Sequence, residues 1–392
     1  MEKVRFGIVG MGNQGTYYTK NLFTQDKIDN GVLTAVCDWN PVKLDAAKKL
    51  LEGREVAYFG DFTEMLDSGL VDAVLVEIPH YDHPDMVIEC LKRDIHVICE
   101  KPAGVYTKQV KEMNEVASKS KALFTIMFNQ RTNCVYRKMR EIIASGELGE
   151  LQRMTWIITN WFRTQNYYDS GSWRATWAGE GGGVLINQSC HQLDLVQWIV
   201  GELPVAVNGF CQYGKWHDIE VEDEVTAYLR YANGATGVFI TTTGEAPGVN
   251  RLEISGTKGK LLCEGETLKW YRNAVDSRDF CKTEAGGLVP CEVIDVETDG
   301  KNPQHAGIIN NFANAILGIE PLFVEGCEGI AGVDLMNAIE LSGWNGGAEV
   351  TLPVDEDAYL KMLNEKRANS VLKVGNDNVV ADTSGTFGTV AK

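Results

Sequence analysis

Lys101 is the penultimate residue of the stretch Ile-His-Val-Ile-Cys-Glu-Lys-Pro, residues 95 to 102, and is the best candidate for a reactive base. Ile95, Val97 and Ile98 predict a short buried strand that turns polar at Glu100. Ligands of an open parallel sheet bind in the crevice beyond the carboxyl ends of its strands. A Lys delivered there, with Pro102 stiffening the turn behind it, lies beside a ligand. Burial near a positive charge would depress its pKa enough for base chemistry at neutral pH. The bland alternative is a surface Lys after an edge strand.

A second stretch carries chemistry. Glu180-Gly181-Gly182-Gly183 opens a predicted helix that runs to Val200 and stops at Gly201. Asn187 and His191 are four apart, and Asp194 follows His191 by three, so all three share a helix face. Leu185, Ile186, Leu193, Leu195, Trp198 and Ile199 supply the packing. Either His191 is a core residue satisfied by Asp194, or Asp194 or Asn187 orients it toward a substrate hydroxyl. Upstream, Trp156, Trp161, Phe162, Tyr167, Tyr168, Trp173 and Trp177 crowd around Arg163 and Arg174. Gly, Asp, Ser and Asn interrupt residues 165–172, which reads as loop. Exposed Trp and Tyr beside Arg suit stacking on a sugar ring or aglycone.

The elements that position these residues begin with a strand at Val4–Val9 and then Gly10-Met11-Gly12-Asn13-Gln14-Gly15. A helical stretch, 16–23, and a second strand, 32–37, ending at Asp38, complete a dinucleotide signature. Gly10 permits the tight turn, Gly12 lets backbone approach a pyrophosphate, and Gly15 lets helix and strand pack. Free N–H groups at Asn13 and Gln14 would face the phosphates. Asp38 would bind the adenosine ribose and repel a 2′-phosphate, and Trp39-Asn40-Pro41 brings no Arg. NAD is therefore favoured over NADP. Apolar strands then alternate with helices as far as Phe128, which predicts a doubly wound parallel sheet. The strand ends would gather Ile78, Pro79, His83, Glu100, Lys101 and Asn129 on the cofactor edge.

After Arg131 the pattern changes to successive, mostly alternating strands between residues 152 and 263. The expected fold class is α/β: an N-terminal Rossmann domain, 1–128, followed by an α+β substrate domain, 129–368, with a large, mostly antiparallel open sheet. Residues 369–392 read as a polar tail or arm. A broad uncovered sheet is a liability, so a homo-oligomer, dimer or tetramer, is expected through it.

A net charge of −17 argues against nucleic acid and anionic membrane surfaces. No apolar run is long enough to span a bilayer, and no signal-peptide core precedes the first strand. The ten cysteines show no Cys-x-x-Cys spacing, and the six histidines make no ligand motif. A reducing cytoplasm and no metal are the expectations.

These motifs together resemble the Gfo/Idh/MocA family, the glucose–fructose oxidoreductase and inositol dehydrogenase group. The resemblance runs to about Leu363. It rests on the glycine signature, Glu100-Lys101-Pro102, Gly146-Glu147-Leu148-Gly149, and Gly181-Gly182-Gly183 through His191, Asp194 and Trp198 to Gly201. It implies a nicotinamide cofactor and a Lys–His pair, here Lys101 and His191, acting on a sugar, glycoside or inositol hydroxyl. Candidate substrate contacts are Lys101, Arg131, Trp161, Arg163, Tyr168, Trp173, Arg174, Asn187 and His191. The family often has Asp where this chain has Asn187, which removes one carboxylate. Asn-Gln-Ser-Cys-His-Gln-Leu-Asp, with Asn160-Trp161-Phe162-Arg163 upstream, resembles a branch that includes glycoside 3-oxidases. Three other readings stay open: an inositol or aldose dehydrogenase, a redox glycosidase using His217 or Tyr168 as an extra base, and a non-catalytic NAD sensor.

Overall fold

A computed structural model describes residues 3–283 and 286–371. The chain forms two compact units. The first comprises residues 1–132 and 302–333, and the second 133–301 and 334–392. Residues 302–333 thus join the N-terminal unit, where the sequence pattern assigns them to the second domain. The expected tail falls largely on residues 372–392, outside those described.

In the first unit, six parallel strands stand in the order β3-β2-β1-β4-β5-β6. They are β1 (Val4–Val9), β2 (Gly31–Cys37), β3 (Ala57–Phe59), β4 (Ala73–Val76), β5 (His96–Cys99) and β6 (Phe124–Ile126). All four residues of β4 are fully buried, as expected for a strand covered on both faces. Asp61 accepts from the Glu64 N–H and caps helix Phe62–Asp67, a contribution of about 1 kcal/mol. The helix after the glycine turn starts at Asn13, three residues earlier than the sequence suggests, and runs on as a π-helical turn, Thr19–Phe23.

The second unit holds a nine-stranded sheet in the order β14-β13-β12-β11-β7-β10-β9-β8-β15. Its strands are β7 (Leu151–Ile158), β8 (Ala206–Tyr213), β9 (Glu222–Arg230), β10 (Thr236–Thr242), β11 (Asn250–Gly256), β12 (Gly259–Glu264), β13 (Thr267–Asn273), β14 (Cys291–Asp295) and β15 (Val350–Thr351). Among the described residues of this sheet, only β7 and β10 pair in parallel. Burial alternates along β9, so one face is core and the other open. Val225, Ala227 and Leu229 point inward, while Phe210 of β8 and Tyr228 of β9 are exposed.

Two local expectations are corrected. Helix Cys190–Val200 begins ten residues later than the Glu180 start. The Glu222 carboxylate takes the backbone N–H groups of Gly183 and Leu185, and the Glu222 carbonyl takes that of Val184. A helix started at Glu180 would need the Val184 and Leu185 donors for its first i→i−4 bonds. Asn187 therefore lies in a turn, off the helix that carries His191 and Asp194. Residues 165–172 are also not all loop, since Gln165–Asp169 is a short helix capped by Thr164.

Candidate active site

In the first unit the three motif glycines meet three different constraints. Gly10 has φ +93°, and a Cβ on it would lie 2.1 Å from the Glu77 carbonyl oxygen. A Cβ on Gly15 would lie 2.0 Å from the Gly10 carbonyl oxygen, whereas one on Gly12 would meet nothing within 4 Å. Gly12 therefore offers open backbone where a ligand must come close. Asp38 holds this turn: its carboxylate accepts from Met11 N at 2.8 Å and Asn40 N at 2.8 Å. Asn13 is exposed and Gln14 half-buried.

Glu77 and Glu100 follow β4 and β5, whose last residues, Val76 and Cys99, are paired in register. The two carboxyls are neighbours in a buried setting. Glu100 Oε1 accepts from the Tyr18 hydroxyl, and Oε2 accepts from Lys101 N at 3.1 Å. Both Glu77 oxygens are shielded and accept no hydrogen bond among the described residues. Burial, and then the charge of Glu100, raise the Glu77 pKa well above the carboxylate range. Burial also raises Glu100, with Lys101 opposing it. Lys101 itself is half-buried.

His83 braces the strand ends rather than presenting a free nitrogen. Its Nδ1 lies 2.7 Å from the Pro102 carbonyl and its Nε2 2.8 Å from that of Ile78, while Pro79 is exposed. Burial lowers the His83 pKa despite these two acceptors. Asn129 donates to Gln304, and its buried Oδ1 has no hydrogen-bond partner among the described residues. Arg131 is buried and ion-paired with Glu328, so the structure commits this expected substrate contact to its own unit. His305, which no sequence pattern singles out, packs on Tyr18 with ring centroids 5.5 Å apart. Burial first, and then the Lys101 charge, push its pKa down to about 4.

In the second unit His191 is half-buried near the start of helix Cys190–Val200, and Asp194 is buried one turn on. Asn187 donates to Glu180 Oε1, while Glu180 Oε2 accepts from Ala175 N at 2.6 Å. A carboxylate thus stands beside position 187, that of Glu180, which the sequence reading treats only as a helix start. The Tyr167 hydroxyl accepts from Arg174 at 3.1 Å, Gln188 at 3.3 Å and Asn187 at 3.4 Å. The Arg163 and Arg174 guanidinium carbons lie 5.1 and 4.8 Å from the Tyr167 ring centre. Arg174 also stacks on Trp173 at 4.5 Å, and Arg163 lies 5.9 Å from Trp161. Each such contact contributes about 0.5–1 kcal/mol or more when desolvated.

Tyr168 is not a free contact. It is buried, donates to Thr243 at 2.8 Å, and burial raises its pKa. His217 is likewise committed, with Nε2 donating to the Arg163 carbonyl at 2.9 Å and Nδ1 3.1 Å from Asp223.

Two family models cover most of this architecture. Residues 4–128 match an oxidoreductase family with an NAD-binding Rossmann fold, and residues 136–262 match the GFO/IDH/MocA C-terminal domain. The chain belongs to the Gfo/Idh/MocA family. It is 29% identical over 268 residues to the myo-inositol 2-dehydrogenase of Thermotoga maritima, covering 67% of this chain and 75% of that one. It is 26% identical to the scyllo-inositol 2-dehydrogenase (NAD(+)) of Bacillus subtilis, covering 66% and 73%. A structure of the WlbA dehydrogenase of Bordetella pertussis with NADH and UDP-GlcNAcA matches with a TM-score of 0.75 at 26% identity, covering 90% of this chain and all of that one. As a Gfo/Idh/MocA protein the chain is an oxidoreductase of CH–OH groups with an NAD-binding Rossmann unit.

The residues of the first unit fit that cofactor. Gly12 leaves backbone open, Asp38 sits at the end of β2 for the adenosine half, and the Asn129 amide oxygen and Glu77 carboxyl are buried polar groups without partners among the described residues. In strand order β2 lies on one side of β1 and β4–β5 on the other, so a nicotinamide half would be held over β4 and β5.

Proposed function

We propose that this Gfo/Idh/MocA protein oxidises a secondary hydroxyl of a sugar or glycoside, with Lys101 and His191 acting on the same hydroxyl. Lys101 carries the reading: it is half-buried, one residue past β5, in the unit that matches the NAD-binding family. When bound, the oxidised nicotinamide supplies the hydride acceptor. Lys101 takes the hydroxyl proton, and His191 orients the hydroxyl and shares its hydrogen bond. Asp38 favours NAD over NADP. The inositol dehydrogenases and the WlbA structure with a nucleotide-sugar acid support the substrate class.

Within that class we favour the C3 hydroxyl of a pyranoside bearing an aglycone. Trp161, Tyr167 and Trp173, interleaved with Arg163 and Arg174, offer more flat surface than one sugar ring covers. The redox-glycosidase reading needs an extra base, and both candidates, His217 and Tyr168, are held in internal hydrogen bonds. Two copies meeting over the open sheet face with Phe210 and Tyr228, in the cytoplasm, complete the reading.

The test compares kcat/KM for an aryl glucoside, glucose and myo-inositol, and locates the product carbonyl by NMR. A C3 ketone from the aryl glucoside is expected, and preferred oxidation of inositol would reject the glycoside assignment. Lys101→Ala should lower kcat by 10²-fold or more, a typical loss for a positioned base, and leave NAD affinity within a few-fold. His191→Ala should raise KM as well as lower kcat.

A further inference from the structure

Glu100 is an expected residue of the cofactor edge, but its partners Tyr18 and Glu77 are singled out by no sequence pattern, and the chemistry of Glu77 is unassigned. The in-register pairing of β4 and β5 sets the two carboxyls side by side beyond the strand ends. Burying two carboxylates together is unfavourable, so one of them holds a proton. Hydrogen bonding shows which. Glu100 accepts at both oxygens, from Tyr18 and from Lys101 N, as an ionised carboxylate does. Glu77 accepts from no described residue at either oxygen. Its backbone carbonyl backs onto Gly10, so the strand end that carries this acid abuts the dinucleotide turn. The other titratable groups around the pair are Tyr18, Cys99, Lys101 and, against Tyr18, His305.

We propose that Glu77 is a charge-matching residue for the cofactor: it is a neutral acid in the free protein and in the NADH complex, and it ionises when NAD+ binds. The nicotinamide half would lie over β4 and β5, on the side of β1 opposite β2, and oxidised and reduced rings differ by one positive charge. A buried acid just past β4 would compensate that charge by losing its proton to solvent, so that protein plus NAD+ gives the complex plus H+. NADH brings no ring charge and releases none. The proton balance of the cofactor step is then written into the protein, and preference between the two redox forms becomes pH-dependent.

Proton release is counted by titration calorimetry in buffers of different ionisation enthalpy, with NAD+ and NADH titrated separately into the full chain between pH 6 and 8. The inference rests on NAD binding alone and needs no turnover, so failure of the sugar assignment leaves it standing. The wild type should release up to one proton per NAD+ and none per NADH. By linkage, NAD+ affinity should strengthen by up to about tenfold per pH unit, with NADH flat. Glu77→Gln should abolish the release, and Glu77→Asp should retain it. Equal proton counts for NAD+ and NADH in the wild type would overturn the proposal without any variant. So would undiminished NAD+-specific release in Glu77→Gln that still binds NADH.

Discussion

Asn187 donates its amide to the same carboxylate, Glu180, that accepts the backbone N–H of Ala175. An amide facing an acid here replaces the Asp that the family often carries at position 187. Restoring the acid should therefore be harmful. Asn187→Asp puts two carboxyls within hydrogen-bonding distance, and they cannot both ionise. We expect kcat/KM at neutral pH to fall by up to about 100-fold, as for a displaced positioning group, with partial recovery on acidification. The double variant Asn187→Asp, Glu180→Gln re-forms an acid–amide pair and should regain most activity. Steady-state kinetics of the single and double variants checks this.

Gly12 and Gly183 should respond oppositely to alanine. A Cβ on Gly183 would lie 2.0 Å from the Glu222 carbonyl oxygen, so Gly183→Ala should cost at least about 1–3 kcal/mol by overpacking. A Cβ on Gly12 meets nothing, so Gly12→Ala should leave Tm unchanged. It should weaken NAD about tenfold, or 1.4 kcal/mol, because it fills the space the pyrophosphate backbone approaches. Thermal melts and NAD titrations separate the two effects.

Asp38 is a structural acceptor as well as a candidate ribose ligand. Asp38→Ala strips acceptors from Met11 N and Asn40 N, at about 1–3 kcal/mol for the buried Met11 donor left unpaired and less for the part-buried Asn40 donor. NAD affinity should therefore drop together with Tm. Adding Trp39→Arg should improve NADP relative to NAD without restoring Tm. Parallel titrations with both cofactors measure the ratio.

Glu222 gives a pH-dependent stability. Burial raises its pKa from 4.5 to about 7, against the backbone N–H groups of Leu185 and Gly183. A carboxyl with a raised folded pKa contributes stability that is fully present below pH 4.5 and lost as pH climbs to about 7. Wild-type stability should therefore fall by about 3 kcal/mol over this window relative to Glu222→Gln. Denaturant midpoints at pH 4.5 and 7.5 test the sign.

The parallel sheet was legible because each of its strands is an apolar run between turn residues, and because the three glycines stand between strand and helix. β14 was not, because four of its five residues are exposed and carry no core signal. Two-residue β15 is shorter than any periodicity. The start of helix Cys190–Val200 was hidden because Glu222, far along the chain, takes the N–H groups that would have begun it. Lys101, His191 and the glycines were readable as residue types at motif spacing. Glu77 was not: it is a lone acid at the end of an apolar strand, and only the register of β4 against β5 makes it the neighbour of Glu100. Glu180 and His305 owe their settings to contacts that no local pattern encodes.

The return of residues 302–333 to the first unit determines how this protein can be dissected. Asn310 and Asn314 hydrogen-bond Asp29 and Asn30, and the Gln304 N–H is held by Thr132. A Cβ on Gly326 would strike the Phe124 ring at 2.2 Å, so this segment lies directly on the β6 edge. Cutting the gene after codon 132 would leave that edge bare and the fragment prone to aggregate. A soluble cofactor-binding module calls instead for a splice, with residues 1–132 joined through a short linker to 302–333.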